Sequence, residues 1–133
     1  MSTVQIKWLE EKQFVGIDST SHSVVLSSAA DGVGVKPSDL LLVSLAGCTA
    51  YDVVEILGKK RQELQRLTVE VSAEQEPDAP WAFRRIHMVF RLRGELSEKA
   101  VKQAIELSES KYCSVAATLR PTVELTWEYV IES

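Results

Sequence analysis

Cysteine and histidine are scarce in this chain, two of each among 133 residues. Cys48 and Cys113 are too few for a disulfide framework. With His22 and His87 they stand at no zinc-ligand spacing, so no metal is expected. Six glycines and four prolines exclude a linker-rich or collagen-like chain. A basic excess is also missing: 15 Lys and Arg against 19 Asp and Glu leave a net charge of -4, which argues against nucleic acid as a partner. No charged N-terminal segment leads into an apolar run, so no secretory leader is expected. The longest apolar-biased run, Leu40 to Leu57, carries Ser44, Tyr51, Asp52 and Glu55 and reads as too polar for a membrane span. There is no G-x-S-x-G and no Ser/His/Asp pattern, which removes support for serine acyl transfer. Gly32-Val33-Gly34 is followed by no GK[ST], so it is not a phosphate loop. The expectation is a soluble, cytoplasmic protein that uses no cofactor, nucleic acid or membrane.

What is present is ordinary globular material: 45% hydrophobic and 26% charged residues, with no internal repeat. The length fits one domain, residues 1–133. Alternation predicts strands over Thr3–Leu9, Gln13–Asp18 and Ser23–Ser28, an N-terminal antiparallel meander with a turn at Glu10-Glu11-Lys12. Ala29 to Lys36, with Asp31-Gly32 and Gly34, reads as a loop. Pro37-Ser38-Asp39 then opens a helix, because proline loses nothing in the first turn and Asp39 suits the positive dipole end. That helix is expected to reach Leu57, with Gly58 as its cap.

Leu67–Glu76 and Trp81–Arg93 alternate as a hairpin around Pro77-Asp78-Ala79-Pro80. Ile86, Met88, Phe90 and Leu92 form the inner face of its second strand. Arg85, His87 and Arg91 form the outer one, a solvated face. Ser97 is a good N-cap for a second helix with an inward stripe of Val101, Ala104, Ile105 and Ser108. A short helical turn follows within Tyr112–Leu119, and a last strand spans Thr122–Ile131. This order indicates an α+β fold with antiparallel sheets rather than a doubly wound one.

On the first helix, Ser44, Cys48, Tyr51, Asp52 and Glu55 share an arc of roughly 100°. Cys48 therefore lies in a narrow polar stripe on an otherwise apolar helix. Two readings stay open. The stripe faces solvent and Cys48 is an inert small residue, or the stripe lines a cleft where a thiolate acts as nucleophile. Asp52 and Glu55 would raise the pKa of a nearby thiol unless a cation intervenes. Lys7, Lys36 and Lys111 are the candidates by type. Cys113, in Lys111-Tyr112-Cys113-Ser114-Val115, is either a core cysteine or a resolving thiol, and the 65 residues between the cysteines do not decide their distance. His22 and His87 read as surface or sheet-face residues.

The run from Lys36 to Val54, with Leu45-Ala46-Gly47-Cys48-Thr49 and Asp52-Val53-Val54, resembles the signature helix of the OsmC/Ohr family of osmotically inducible and organic hydroperoxide resistance proteins. Lys111-Tyr112-Cys113-Ser114-Val115 resembles that family's second cysteine segment, and the element order is similar along nearly the whole chain. The resemblance implies an intertwined α+β homodimer. It implies a thiol-dependent peroxidase of organic hydroperoxides in oxidative-stress defence. Cys48 would form a sulfenic acid, Cys113 would resolve it to a disulfide, and an external dithiol would reset the pair. The peroxidase branch sets an N-terminal arginine against the thiolate, held by a glutamate after the helix-opening proline. Here no arginine precedes Arg61, Ser38 stands at the glutamate position, and Asp39 is the nearest carboxylate. Asp39 is thus a candidate to position a cation, and the chain looks closer to the OsmC-like branch. The alternative on the same scaffold is a non-catalytic redox sensor or a binder of a small apolar ligand.

Overall fold

The structure, a computed structural model, describes residues 1–28, 30 and 32–132. Within the expected loop, Ala29 and Asp31 lie outside the described residues. The chain forms two compact units, residues 1–42 and 43–133.

The first unit is the expected meander: β1 (Gln5–Glu10), β2 (Gln13–Ile17) and β3 (Ser23–Ser27), antiparallel in that order. The tight β1–β2 turn puts Glu11 in the left-handed region, at φ 47°. After β3 the chain returns beside it, and Val35 bridges Leu26 in parallel. Gly34 permits this return, because a Cβ there would stand 2.6 Å from the Val25 carbonyl oxygen. Every residue of β1 is exposed, Ile6 and Trp8 included. His22 is a surface residue, its Nδ1 2.8 Å from Thr20 Oγ1 in a turn organised by Asp18. Hydrogen bonds from the His22 and Thr20 backbone and the Thr20 hydroxyl hold the Asp18 carboxyl below its usual range.

The helix α1 (Pro37–Lys59) begins at the expected proline but ends differently. Gly58 lies inside it. Arg61 takes the left-handed position at φ 57°. Arg61 N–H donates to the Gly58 carbonyl at 3.0 Å and Gln62 N–H to the Leu57 carbonyl at 2.9 Å, the paired bonds of a Schellman ending. By length and apolar content α1 is sufficient to cross a bilayer, with a window of mean hydropathy 1.8, which its few polar residues do not prevent. Its Leu45, Thr49, Val53 and Leu57 form one buried stripe, while Val43, Tyr51 and Val54 are exposed. Thr49 satisfies its buried hydroxyl by donating to the Leu45 carbonyl at 3.1 Å, and its Oγ1 lies 3.8 Å from Met88 Sδ.

The second sheet has the order β4 (Glu63–Gln75), β5 (Phe83–Glu95), β6 (Glu124–Glu132). The β4–β5 hairpin is antiparallel as expected, and Ile86, Met88, Phe90 and Leu92 are all buried. The outer face of β5 carries ion pairs: Arg85 to Glu124 at 3.0 Å, and Arg91 to Glu70. His87 sits on that face, its Nδ1 2.7 Å from Thr126 Oγ1 and its Nε2 3.0 Å from Glu128. One pairing departs from the all-antiparallel expectation, since β6 runs parallel to β5. The reason is the intervening crossover, α2 (Glu98–Leu107) followed by a π turn (Ser108–Tyr112) and α3 (Ser114–Leu119). A helical connection returns the chain to the end of the sheet where β5 began, which makes the pair parallel. Ser97 caps α2 through Ala100 N–H at 3.1 Å, and the inward stripe Val101, Ala104, Ile105, Ser108 is fully buried.

Candidate functional site

Cys48 occupies the middle of α1, half-buried, one turn before Asp52. Cys113 is buried and stands at the junction between the π turn and α3. Both thiols are free. The fold makes them neighbours, near enough for the Cys48 sulfur to act on the Cys113 thiol. Burial, together with this neighbouring sulfur, pushes the Cys113 thiol up to about 11. Its backbone partners act the other way but weakly, among them Ala116 N–H, which donates to Cys113 Sγ at 3.3 Å. Cys113 is therefore held as a neutral thiol at physiological pH.

The π turn sets where Cys113 sits. Its N–H donates to the Ser108 carbonyl at 2.9 Å, five residues back, in place of the α-helical bond to Glu109. The Glu109 carbonyl instead accepts from the Arg120 guanidinium. The Glu109 side chain is partly buried, and its Oε1 makes no hydrogen bond. Burial raises its pKa against the opposing pull of Arg120. Ser108 itself is fully buried and donates through Oγ to Asp52 Oδ2 at 2.8 Å. Sequence reading placed Ser108 on an inward stripe and missed its partner. The available signal was a hydroxyl set among Val101, Ala104 and Ile105, which must find an acceptor when buried.

Beside this arrangement, Asp52, Glu55, Ile56, Lys59, Leu107 and Tyr112 line a cleft of about 360 Å³. Lys59 pairs with Glu55 at 3.7 Å. Of the candidate cations, Lys111 Nζ lies over the Tyr112 ring, 5.3 Å from its centroid. Lys7 and Lys36 are exposed in the N-terminal unit. Asp39 is exposed in the first turn of α1, nine residues before Cys48, where its charge complements the helix dipole. Among the described residues, no group of three or more His, Cys, Asp or Glu is close enough to hold a metal ion.

The model of the OsmC-like protein family matches residues 29–128 of this chain. Protein YhfA of Escherichia coli is 34% identical over 96% of both chains. This chain belongs to the OsmC-like family. The OsmC-like protein of Mycoplasma pneumoniae has the same fold, with a TM-score of 0.86 at 16% identity over 100% of this chain and 98% of that one. The organic hydroperoxide resistance protein OhrB of Bacillus subtilis is more distant, with a TM-score of 0.64 at 13% identity over 98% of each chain. The residues matched by the family model span α1, both cysteine segments and the second sheet up to the middle of β6.

Proposed function

We propose that this OsmC-like protein is a cytoplasmic thiol-dependent peroxidase that reduces organic hydroperoxides. The observation that carries the reading is that a half-buried Cys48 and a buried Cys113, both free thiols, are neighbours in the fold. The Cys48 thiolate attacks the distal oxygen of the hydroperoxide. The O–O bond breaks, the alcohol leaves with a proton, and Cys48 is left as a sulfenic acid. The Cys113 sulfur then attacks the Cys48 sulfur. An S–S bond forms, the S–O bond breaks, and water leaves with the Cys113 proton. An external dithiol reduces the disulfide and is itself oxidised. Keeping Cys113 protonated at rest suits this order, because its sulfur becomes useful only after Cys48 is oxidised. Asp39 is assigned a positioning role toward a cation rather than contact with the reacting atoms.

The test is thiol mass spectrometry. One equivalent of cumene hydroperoxide added to reduced protein should remove two hydrogens within seconds and link Cys48 to Cys113. Two untouched thiols would overturn the peroxidase reading. They would favour the second one, a binder of a small apolar molecule.

The working form we propose is a homodimer. In the C-terminal unit α1 leaves Val43, Tyr51 and Val54 exposed on one face, and Gly47 and Gly58 have open space where a side chain would be. In the N-terminal unit β1 exposes Ile6 and Trp8. Exposed apolar faces on a helix or strand of this kind mark sites of association. Light scattering should give twice the chain mass of 14.8 kDa, and a monomer at micromolar concentration would overturn the dimer.

A further inference from the structure

Asp52 and Ser108 take no part in the exchange of bonds just described, yet they join the supports of the two sulfurs. Asp52 lies on α1 one turn beyond Cys48. Its Oδ2 accepts the Ser108 hydroxyl at 2.8 Å. The Ser108 carbonyl accepts the Cys113 N–H at 2.9 Å. Two hydrogen bonds in series therefore run from the helix that carries Cys48 to the backbone of Cys113. The second of them is the π-type bond that inserts one residue ahead of Cys113 and sets its direction. Ser108 is fully buried, so solvent offers its hydroxyl no substitute for Asp52.

We propose that Asp52 and Ser108 are positioning residues whose hydrogen bond fixes the π turn against α1 and so keeps the Cys113 sulfur beside that of Cys48 for disulfide formation. The inference rests on the Cys48–Cys113 reading above and adds the residues that set its geometry. A bond that merely satisfied the buried hydroxyl would affect stability without selecting the disulfide step.

The experiment measures the rate of intramolecular disulfide formation with two oxidants. Diamide, an azo compound, takes two electrons and two protons from the thiols and reports geometry alone. Cumene hydroperoxide reports the peroxidase route as well. Ser108→Ala and Asp52→Ala should each slow the diamide reaction about tenfold, as expected when a held reactant becomes free to move. The double variant should be no slower than either single one, because both remove the same bond. Asp52→Asn retains an acceptor oxygen and should restore most of the rate. With cumene hydroperoxide, the two alanine variants should divert Cys48 from disulfide to sulfinic acid. Diamide rates equal to wild type in both alanine variants would overturn the positioning role. A wild type that forms the disulfide with diamide but not with cumene hydroperoxide would overturn the peroxidase reading alone, and no disulfide with either oxidant would overturn both. Should Ser108→Ala fail to fold, the half-buried Asp52 pair, alanine against asparagine, carries the same comparison.

Discussion

Cys48→Ser is expected to lower hydroperoxide consumption at least about a thousandfold, since a hydroxyl at neutral pH supplies almost no anionic nucleophile where a thiol does. The substitution replaces sulfur by a smaller oxygen at a half-buried position on α1, so the fold should survive. Peroxide consumption with a dithiol reductant, measured beside a thermal melt, checks both points. Cys113→Ser should behave differently. The first turnover should proceed and then stall, leaving a Cys48 sulfenic acid that dimedone labels. Equal turnover in Cys48→Ser and wild type would show that the chemistry does not pass through this sulfur.

The second large effect is on stability. Phe90 is fully buried on β5, the central strand of the second sheet, with β4 antiparallel on one side and β6 parallel on the other. Phe90→Ala should cost about 3–5 kcal/mol, because the lost transfer energy adds to that of the cavity left behind. Against a whole-domain stability of about 5–15 kcal/mol, that is enough to leave the protein marginal. Urea unfolding measures the difference directly. Arg91→Ala, one residue on but facing out, is the control. Its pair with Glu70 is solvent-exposed, so the loss should be small beside that of Phe90→Ala. Equal costs at the two positions would mean that the faces of β5 are not distinguished as described.

These two expectations draw on different levels of information. The inward face of β5 was legible in the sequence, because Ile86, Met88, Phe90 and Leu92 alternate with Arg85, His87 and Arg91 over a strand of period two. So was the start of α2, where Ser97 offers its side chain to the free N–H of Ala100. The end of α1 was not. Gly58 has the residue type of a cap, but Leu57 and Gly58 still supply carbonyls to the closing turn, and Arg61 takes the left-handed position despite its side chain. Residue preference at a helix end is worth about 1 kcal/mol and yields to the packing beyond it.

The sequence by itself determined the order of strands and helices, the inner and outer faces of β5, and the resemblance to the OsmC-like family. Each of these follows from neighbours within a few residues, where helix and strand periods and capping chemistry operate. Tertiary structure alone decided the rest. It brought Cys48 to Cys113 across 65 residues, made β6 parallel to β5, and gave the Ser108 hydroxyl to Asp52. Those outcomes depend on how the crossover α2–π turn–α3 lies on the sheet and against α1. Local periodicity states which side of each element is apolar, but not which residue of another element it will meet.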